Sequence, residues 1–358
     1  MKKKLIALFV AGLGSSFAIN SFAVETSTAP QITTESVKEP TSNKKYVIRI
    51  AHVVKATTPK GQAAEHFKTY MEAKFPGRVE VKVFHDNSLF KDKEETEALS
   101  LGAVDIILPT TPKVVAAYQA KDFELFDLPF LFNSQAEVNK FVSSSTARKL
   151  LDNLGKANNK MVPLALWPND FREMIGKHEF KQKSDFAKDR IRVESKSKTL
   201  LKMHEAFTTK EAVTLAYGDL YAGLDGTGRV TVDSTDNVLP NIYNSKLYEP
   251  AKVMTMTNHS YMFYVLLANK RWFNSLPHDI QEGIRQVAID SGLMNAKLVQ
   301  EGNKTMLEDM KNKGVKVIEL TDAEKAEMKS WAKPVHADFA SRVNGELLNE
   351  TYSAIKSN

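Results

Sequence analysis

The sequence predicts an α/β fold in which strands and helices alternate and the sheet is largely parallel. Short apolar runs such as 46–51 and 79–83 are separated by segments whose apolar residues recur at helical spacing. An unbroken helical pattern from residue 277 to about 313 predicts a helix about 50 Å long at 1.5 Å per residue. A helix longer than one domain is wide has to span two, so we expect a fold with two halves.

The N-terminal residues predict export. Three lysines precede an apolar run over 5–13, and small residues lead to an expected cleavage after Ala23, so 1–23 is predicted to be a signal peptide. Residues 24–45 are rich in Ser, Thr, Pro, Glu and Lys, which predicts a disordered spacer. No later run has the length and apolar character of a membrane helix. The mature chain is therefore expected in the periplasm, without membrane insertion.

Composition and motifs argue against several function classes. The formal net charge is +6, and no basic cluster is dense enough to indicate a nucleic-acid partner. The chain has no cysteine, so the exported protein is expected to rely on its core alone. Its 8 histidines lack metal-ligand spacing, and the glycine-rich run 223–228 follows a helix and not a strand. We therefore expect no metal, no cofactor and, without a Gly-x-Ser-x-Gly elbow, no enzyme.

The first half of the chain predicts its elements from apolar spacing and turn residues. The turn at 58–61 leads into the first helix, which Pro76 and Gly77 end. A charged segment over 93–102 is typical of an exposed helix, and its three glutamates, Glu95 among them, are expected on a solvated face. The other expected elements are strands at 104–108 and 161–167 and helices at 113–120 and 135–154.

The second half contains two arginines at places typical of a binding site. Arg172 follows the strand predicted at 161–167, and ligands of α/β proteins meet the sheet at strand ends. The run Arg190-Ile191-Arg192-Val193 predicts a strand with one arginine facing inward or towards a cleft. The other expected elements are a helix at 218–224, a strand at 230–232, a polar loop at 233–237, strands at 261–269 and 315–318, and a last helix over 321–343.

The inward arginine of the 190–193 run requires an anionic partner, because an unpaired buried charge is very costly. A guanidinium matches a carboxylate through two parallel hydrogen bonds. The partner is therefore either an anionic ligand or an Asp or Glu of the chain itself. The residues alone leave both interpretations open.

Over residues 46 to 347 the chain resembles the extracytoplasmic solute-binding proteins of TRAP (tripartite ATP-independent periplasmic) transporters. No single motif is specific, but their order and spacing across the chain are. The matching segments are Ala51-His52-Val53, Pro59-Lys60-Gly61, 101–105, 126–132, Phe171-Arg172, 191–193, 232–237 and 241–243.

The resemblance implies two α/β lobes that are joined by strands, bridged by the long helix, and close over a small organic anion. It implies a lobe I of 46–169 plus about 262–302, and a lobe II of 170–261 plus about 303–347. The expected partners are the organic acid and the membrane permease subunits of a TRAP transporter. A protein of this fold reused as a periplasmic sensor or enzyme is the alternative.

The resemblance also implies which residues bind the ligand. Arg192 is expected to hold the ligand carboxylate, Asn237 to help position it, and Arg172 to make a further contact. Tyr217 is expected to pack over the ligand. His52 stands near the expected cleft and is a further candidate ligand contact, with a packed or capping histidine as the alternative.

Several residues depart from the usual family pattern at or beside this cleft, so the class of organic acid is not fixed by the resemblance. Whether a metal ion accompanies the organic acid is also left open. The departures are Asp170, Glu194, Ser234 and Asp236.

Overall fold

The computed structural model describes residues 44–356, which form one nine-stranded sheet flanked by helices. The predicted signal peptide and almost the whole predicted spacer lie outside these residues. The strands follow the spatial order β2-β1-β3-β8-β4-β7-β5-β6, with β9 beside β8. Their bounds are β1 Tyr46–Ala51, β2 Val79–Phe84, β3 Ile106–Ile107, β4 Met161–Gly176, β5 Ile191–Val193, β6 Val213–Thr214, β7 Ser234–Val238, β8 Val253–Asn269 and β9 Lys316–Glu319.

Two long antiparallel strands connect the halves of the fold. β4 has 16 residues and β8 has 17, and they pair from Met161 opposite Asn269 to Gly176 opposite Val253. β3, β1 and β2 continue the sheet from one end of this pair, and β7, β5, β6 and β9 lie at the other. The pairs β3–β8, β4–β8 and β4–β7 are antiparallel. The prediction of a largely parallel sheet is wrong for these pairs. The sheet is mixed.

The helices pack on both sides of the sheet. The predicted single helix over 135–154 is wrong: Ser144 adopts an extended conformation, and its hydroxyl accepts from the amide of Ala147, so it begins a second helix. The helices are α1 Pro59–Lys74, α2 Glu95–Leu101, α3 Thr111–Tyr118, α4 Gln135–Ser143, α5 Ser145–Ala157, α6 Lys183–Phe186, α7 Lys198–Phe207, α8 Leu220–Asp225, α9 Leu239–Asn244, α10 Lys270–Asn274, α11 His278–Asn312, α12 Asp322–Phe339 and α13 Gly345–Lys356.

The long helix α11 spans both halves, as predicted. It has 35 residues; Ile284 packs in the core around β1 and α1, whereas Met310 packs in the core beside β9. Near its middle, Gly292 allows close contact with β4, since a Cβ there would lie 2.6 Å from Cδ1 of Trp167. The Trp167 indole N–H donates to the carbonyl of Ala288 at 2.8 Å. These contacts hold α11 against β4.

The C-terminal helices contact both halves. Trp331 of α12 packs with Phe186 and Phe207 beside β5, in the expected lobe II. Phe339, at the end of the same helix, packs with Phe126 in the core of the first half, as do the apolar residues of α13. The expected division places all of 303–347 in lobe II, but the described chain crosses back to the first half within α12. The lobe boundaries themselves stay a prediction.

Two sequence predictions near the cleft are wrong. The strand expected at 161–167 continues to Gly176, so Arg172 lies within β4 and not at a strand end; a register shift between Pro168 and Phe171 accommodates the irregular residues. The strand expected at 230–232 is absent from the described chain, and the expected polar loop is instead the buried strand β7. Its polar side chains obscured the strand pattern, because strand prediction relies on apolar alternation.

Candidate functional site

A small cavity, partly open to solvent, lies between the two halves. The lining side chains come from β1–α1, α3, β5, β7, α9 and β8, so neither half forms the cavity alone. They are Val53, Val54, Lys60, Thr110, Lys113, Arg192, Glu194, Tyr217, Asn237, Asn241, Met262 and Tyr264.

Arg192 is the central cation of this cavity. It lies in the middle of β5, is only 2% exposed, and its Nε donates to the carbonyl of Leu215 at 2.9 Å. Within residues 44–356 no carboxylate lies within ion-pair distance of it. An internal salt bridge, one of the two interpretations left open by the sequence, is therefore not formed in the described chain. The guanidinium retains N–H groups for an anion in the cavity.

Asn237 and Tyr217 line the same cavity within a network of hydrogen bonds. The Oδ1 of Asn237 accepts from the amide of Val238 at 2.9 Å and from Nδ2 of Asn241 at 3.1 Å, which leaves its NH₂ group to donate. The hydroxyl of Tyr217 pairs with Ser245 at 2.7 Å, and burial raises its pKa to about 12. Asn237 can thus donate a hydrogen bond, as a carboxylate ligand requires, whereas the Tyr217 hydroxyl is engaged by Ser245 and by the carbonyl of Asn241.

Arg172 is buried beside the cavity but does not line it. Its guanidinium forms one ion pair with Glu194 and another with Asp236, the latter at 3.2 Å. Burial works to raise the pKa of Asp236, but Arg172 and His259 hold it well below its usual value. Burial opposes ionisation of Glu194 too, and Arg172, Arg192 and Lys113 outweigh it and lower the pKa. Both acids are therefore ionised, and they neutralise Arg172.

Two lysines of the cavity were not predicted as site residues. Lys60 donates from Nζ to the carbonyl of Leu108 at 3.1 Å, lies 3.9 Å from the centre of the Tyr264 ring, and has a pKa lowered to about 7 by burial. Lys113 forms an ion pair with Asp92. Lys60 belongs to one of the motifs that carry the family resemblance, and this position could have identified it as a site residue. Nothing in the sequence distinguishes Lys113.

Glu95 accompanies these lysines, so the predicted solvated position is wrong for this glutamate. The residue is 1% exposed, and both of its carboxylate oxygens are buried without a hydrogen-bond partner among residues 44–356. Burial raises its pKa to about 7, while Lys113 and Lys60 oppose the shift. The charge pattern of the segment indicated an exposed helix, but α2 turns this side chain towards the cavity cations.

His52 is buried one layer away from the cavity lining. Its Nε2 is 2.9 Å from Nδ1 of His85, and Nε2 of His85 is 2.7 Å from a carboxylate oxygen of Glu65. Burial, with smaller effects of Lys60 and His85, lowers the pKa of His52 well below its usual value. His52 is thus a neutral residue behind Val53 at the edge of the site.

The departures from the usual family pattern fall into two groups. Glu194 lines the cavity, and Asp236 is linked to it through Arg172. Asp170 lies elsewhere, accepting from Nδ2 of Asn303 at 2.8 Å, and Ser234 packs against Gly176. Only the first two act on the electrostatics of the cavity.

An outer groove adjoins the cavity and encloses about 970 Å³ of empty space. Lys113 and Glu194 line both spaces, so this pair of side chains stands between the groove and the cavity.

A mixed α/β fold of two halves, with a donor-rich cavity between them, defines a solute-binding protein. Residues 50–342 match the family described as bacterial extracellular solute-binding protein, family 7. The chain belongs to this family, the solute-binding proteins of TRAP transporters. Among residues 44–356, no helix combines the length and the apolar character of a membrane span. No group of three or more His, Asp or Glu side chains there could hold a metal ion.

Comparisons with individual proteins agree with this assignment. The C4-dicarboxylate-binding periplasmic protein DctP of Rhodobacter capsulatus is 33% identical over 303 residues, which is 84% of this chain and 89% of that protein. The crystal structure of the sugar acid binding protein DctPAm of Advenella mimigardefordensis with galactonate has a TM-score of 0.81, 27% identity, and coverage of 87% and 98%. A TRAP solute-binding protein of Shewanella oneidensis with bound succinate has a TM-score of 0.81, 28% identity, and coverage of 87% and 100%.

Proposed function

We propose that this protein is a periplasmic solute-binding protein that captures a small organic acid between its lobes and delivers it to the membrane permease of a TRAP transporter. The observation that carries this proposal is the buried Arg192 guanidinium, which lines the cavity and has no carboxylate partner in the described chain. Arg192 interacts with Glu194 and Asp236 only beyond ion-pair distance, and a ligand carboxylate would give it a direct, bidentate partner. The relatives whose names or structures identify organic acids support it.

The expected ligand contacts follow from the lining. Arg192 meets the carboxylate through two N–H groups in a dry site, where a bidentate pair is stronger than at the surface. Asn237 donates from its amide, and the Tyr217 ring covers the ligand. Lys60 adds a second cation, so its pKa is expected to rise when an anion binds beside it. Arg172 and His52 support the site from behind its lining.

Binding and release require the two halves to move, because both line the cavity. The long strands β4 and β8 connect the halves, and the irregular segment between Pro168 and Phe171 interrupts their ladder. We propose that the strand pair bends at this segment. The lobes that move have the boundaries expected from the sequence, except that α13 moves with the first half. The permease then recognises the closed conformation of the protein and not the open one.

The test is a thermal-shift screen of the mature protein against organic acids, with neutral sugars and amino acids as controls. A ligand at a hundred times its Kd adds about 2.7 kcal/mol of stability. We expect a shift with one class of acid and recovery of that acid unchanged. Absence of a shift with every acid, or chemical conversion of the ligand, would contradict the proposal.

A further inference from the structure

Glu194 places a negative charge at the wall of a cavity whose other charged lining residues are Lys60, Lys113 and Arg192. Its side chain is 4% exposed; Oε1 pairs with Arg172, and Oε2 accepts from the hydroxyl of Thr110 at 2.7 Å. A carboxylate has about four acceptor positions, and these two contacts do not use all of them. The residue can therefore accept one more hydrogen bond from within the cavity.

The same residue removes Arg172 from the cations available to a ligand. Glu194 and Asp236 hold the two Nη groups of Arg172, and Arg172 does not reach the cavity surface. A second ligand carboxylate at this end would meet the carboxylate of Glu194 first. In a buried site that repulsion is only weakly screened.

The charge of Glu194 also acts on the remaining cations. Burial works to lower the pKa of Lys113, yet Asp92, Glu95 and Glu194 together raise it above its usual value. Lys60, whose pKa burial lowers to about 7, is surrounded by the same acids. The acids Asp92, Glu95 and Glu194 thus surround both lysines, whereas the Nη groups of Arg192 have no partner in the described chain and can take one ligand carboxylate.

We propose that Glu194 determines specificity, selecting organic acids with one carboxylate and a hydroxyl group over dicarboxylates. Arg192 takes the single carboxylate, and Glu194 accepts a hydrogen bond from a ligand hydroxyl while it repels a second carboxylate. A site built to pair with a hydroxyl rejects analogues that cannot donate there, because its own acceptor is left unpaired. This inference rests on the proposed function.

The test uses pairs of acids that differ only by oxidation of a terminal CH₂OH group to a carboxylate. Erythronate is paired with meso-tartrate, and galactonate with galactarate, and both affinities are measured by calorimetry at pH 7.5. In the wild type we expect at least one hydroxy acid to bind tenfold or more tightly than its dicarboxylate. In Glu194→Gln the amide carries no charge and releases Arg172, so this ratio should fall at least tenfold.

Two variants serve as controls. Glu194→Asp keeps the charge and should keep the wild-type order of the two acids. Asp105→Asn removes a buried carboxylate that pairs with Arg49 and does not line the cavity, and should also leave the ratio unchanged. Melting temperatures of all variants show whether each one folds.

Two results would overturn the inference while leaving the proposed function intact. They are equal wild-type affinity for both members of each pair, and a ratio unaffected by Glu194→Gln. Failure of the wild type to bind any organic acid is a different result, because it would remove the proposed function itself.

Discussion

The Nε atom of Arg192 donates to the backbone carbonyl of Leu215 at 2.9 Å, and this bond orients a guanidinium that has no carboxylate partner in the described chain. A strand residue would ordinarily reach such burial only with an internal counter-ion. Here the neighbouring acids are engaged elsewhere: Asp92 pairs with Lys113, and Glu194 and Asp236 pair with Arg172. Arg192 is therefore available to pair with an anion, and its orientation is fixed before the anion binds.

Replacing Arg192 by Ala should weaken binding of the organic acid identified in the screen by a hundredfold or more, because one bidentate charged contact is lost in a buried site. Arg192→Lys should retain only part of the affinity, since an ammonium cannot make two parallel hydrogen bonds. Calorimetry measures both. The matched control is Arg190→Ala, immediately before the same strand, whose exposed side chain donates to Thr231 and lies away from the cavity. Equal losses of affinity in Arg190→Ala and Arg192→Ala would contradict the role assigned to Arg192.

Lys60→Met should stabilise the ligand-free protein and weaken ligand binding at the same time. The lysine is buried and forms no ion pair within residues 44–356, and burial lowers its pKa to about 7, so the fold destabilises its charged form. Its cost is greatest below pH 7 and falls as pH rises from 7 towards the unfolded value, so the gain should be largest near pH 6. We expect on the order of 1–3 kcal/mol there by urea unfolding. A destabilised variant with unchanged affinity would refute this.

Asp170 should make stability depend on pH between about 4 and 6. Burial raises its pKa to about 6, although the hydrogen bond from Asn303 opposes the shift, so the folded state binds a proton that the unfolded state has released. Its favourable contribution is complete below the unfolded pKa and is lost as pH rises through the folded one.

Asp170→Asn is the corresponding test. The amide stays neutral at all these pH values and offers a donor to the buried Oδ1 of Asn303, which has no partner in the described chain. Urea unfolding of both proteins should show the variant gaining about 1–3 kcal/mol relative to the wild type between pH 4 and pH 7. Parallel pH profiles for the two would show that this carboxylate is not responsible.

Gly292→Ala should destabilise the contact between α11 and β4. The added Cβ would lie 2.6 Å from Cδ1 of Trp167, whose indole N–H is held by Ala288, so the rigid ring has to shift. Overpacking of this kind costs about 1–3 kcal/mol in urea unfolding. On the same helix, Gly302→Ala meets only the terminal Cε of Met306 and should be neutral or stabilising, because Ala is the better helix former. The two substitutions should therefore differ in sign.

Local patterns predicted the elements whose residues obey one periodicity. The alternation in Val79, Val81 and Val83, the long run that became α11, and the capping box of Thr321 and Glu324 each specify an element through contacts between near neighbours. Ser144 was missed because one hydroxyl bond to Ala147 decides between a continuous helix and a break. β7 was missed because its residues are polar, and strand prediction relies on apolar alternation.

The sequence by itself determined the α/β class, the bridging helix, the family, and the expectation that Arg192, Asn237 and Tyr217 belong to one ligand site. Only the tertiary structure decided which charges remain available there. It brought Glu194, Lys60, Lys113 and Glu95 into the same buried volume from four separate segments, and it paired Arg172 with acids of the protein. Charge balance in a cavity depends on distances across the fold and on desolvation, and neither quantity is encoded by the spacing of residues along one element.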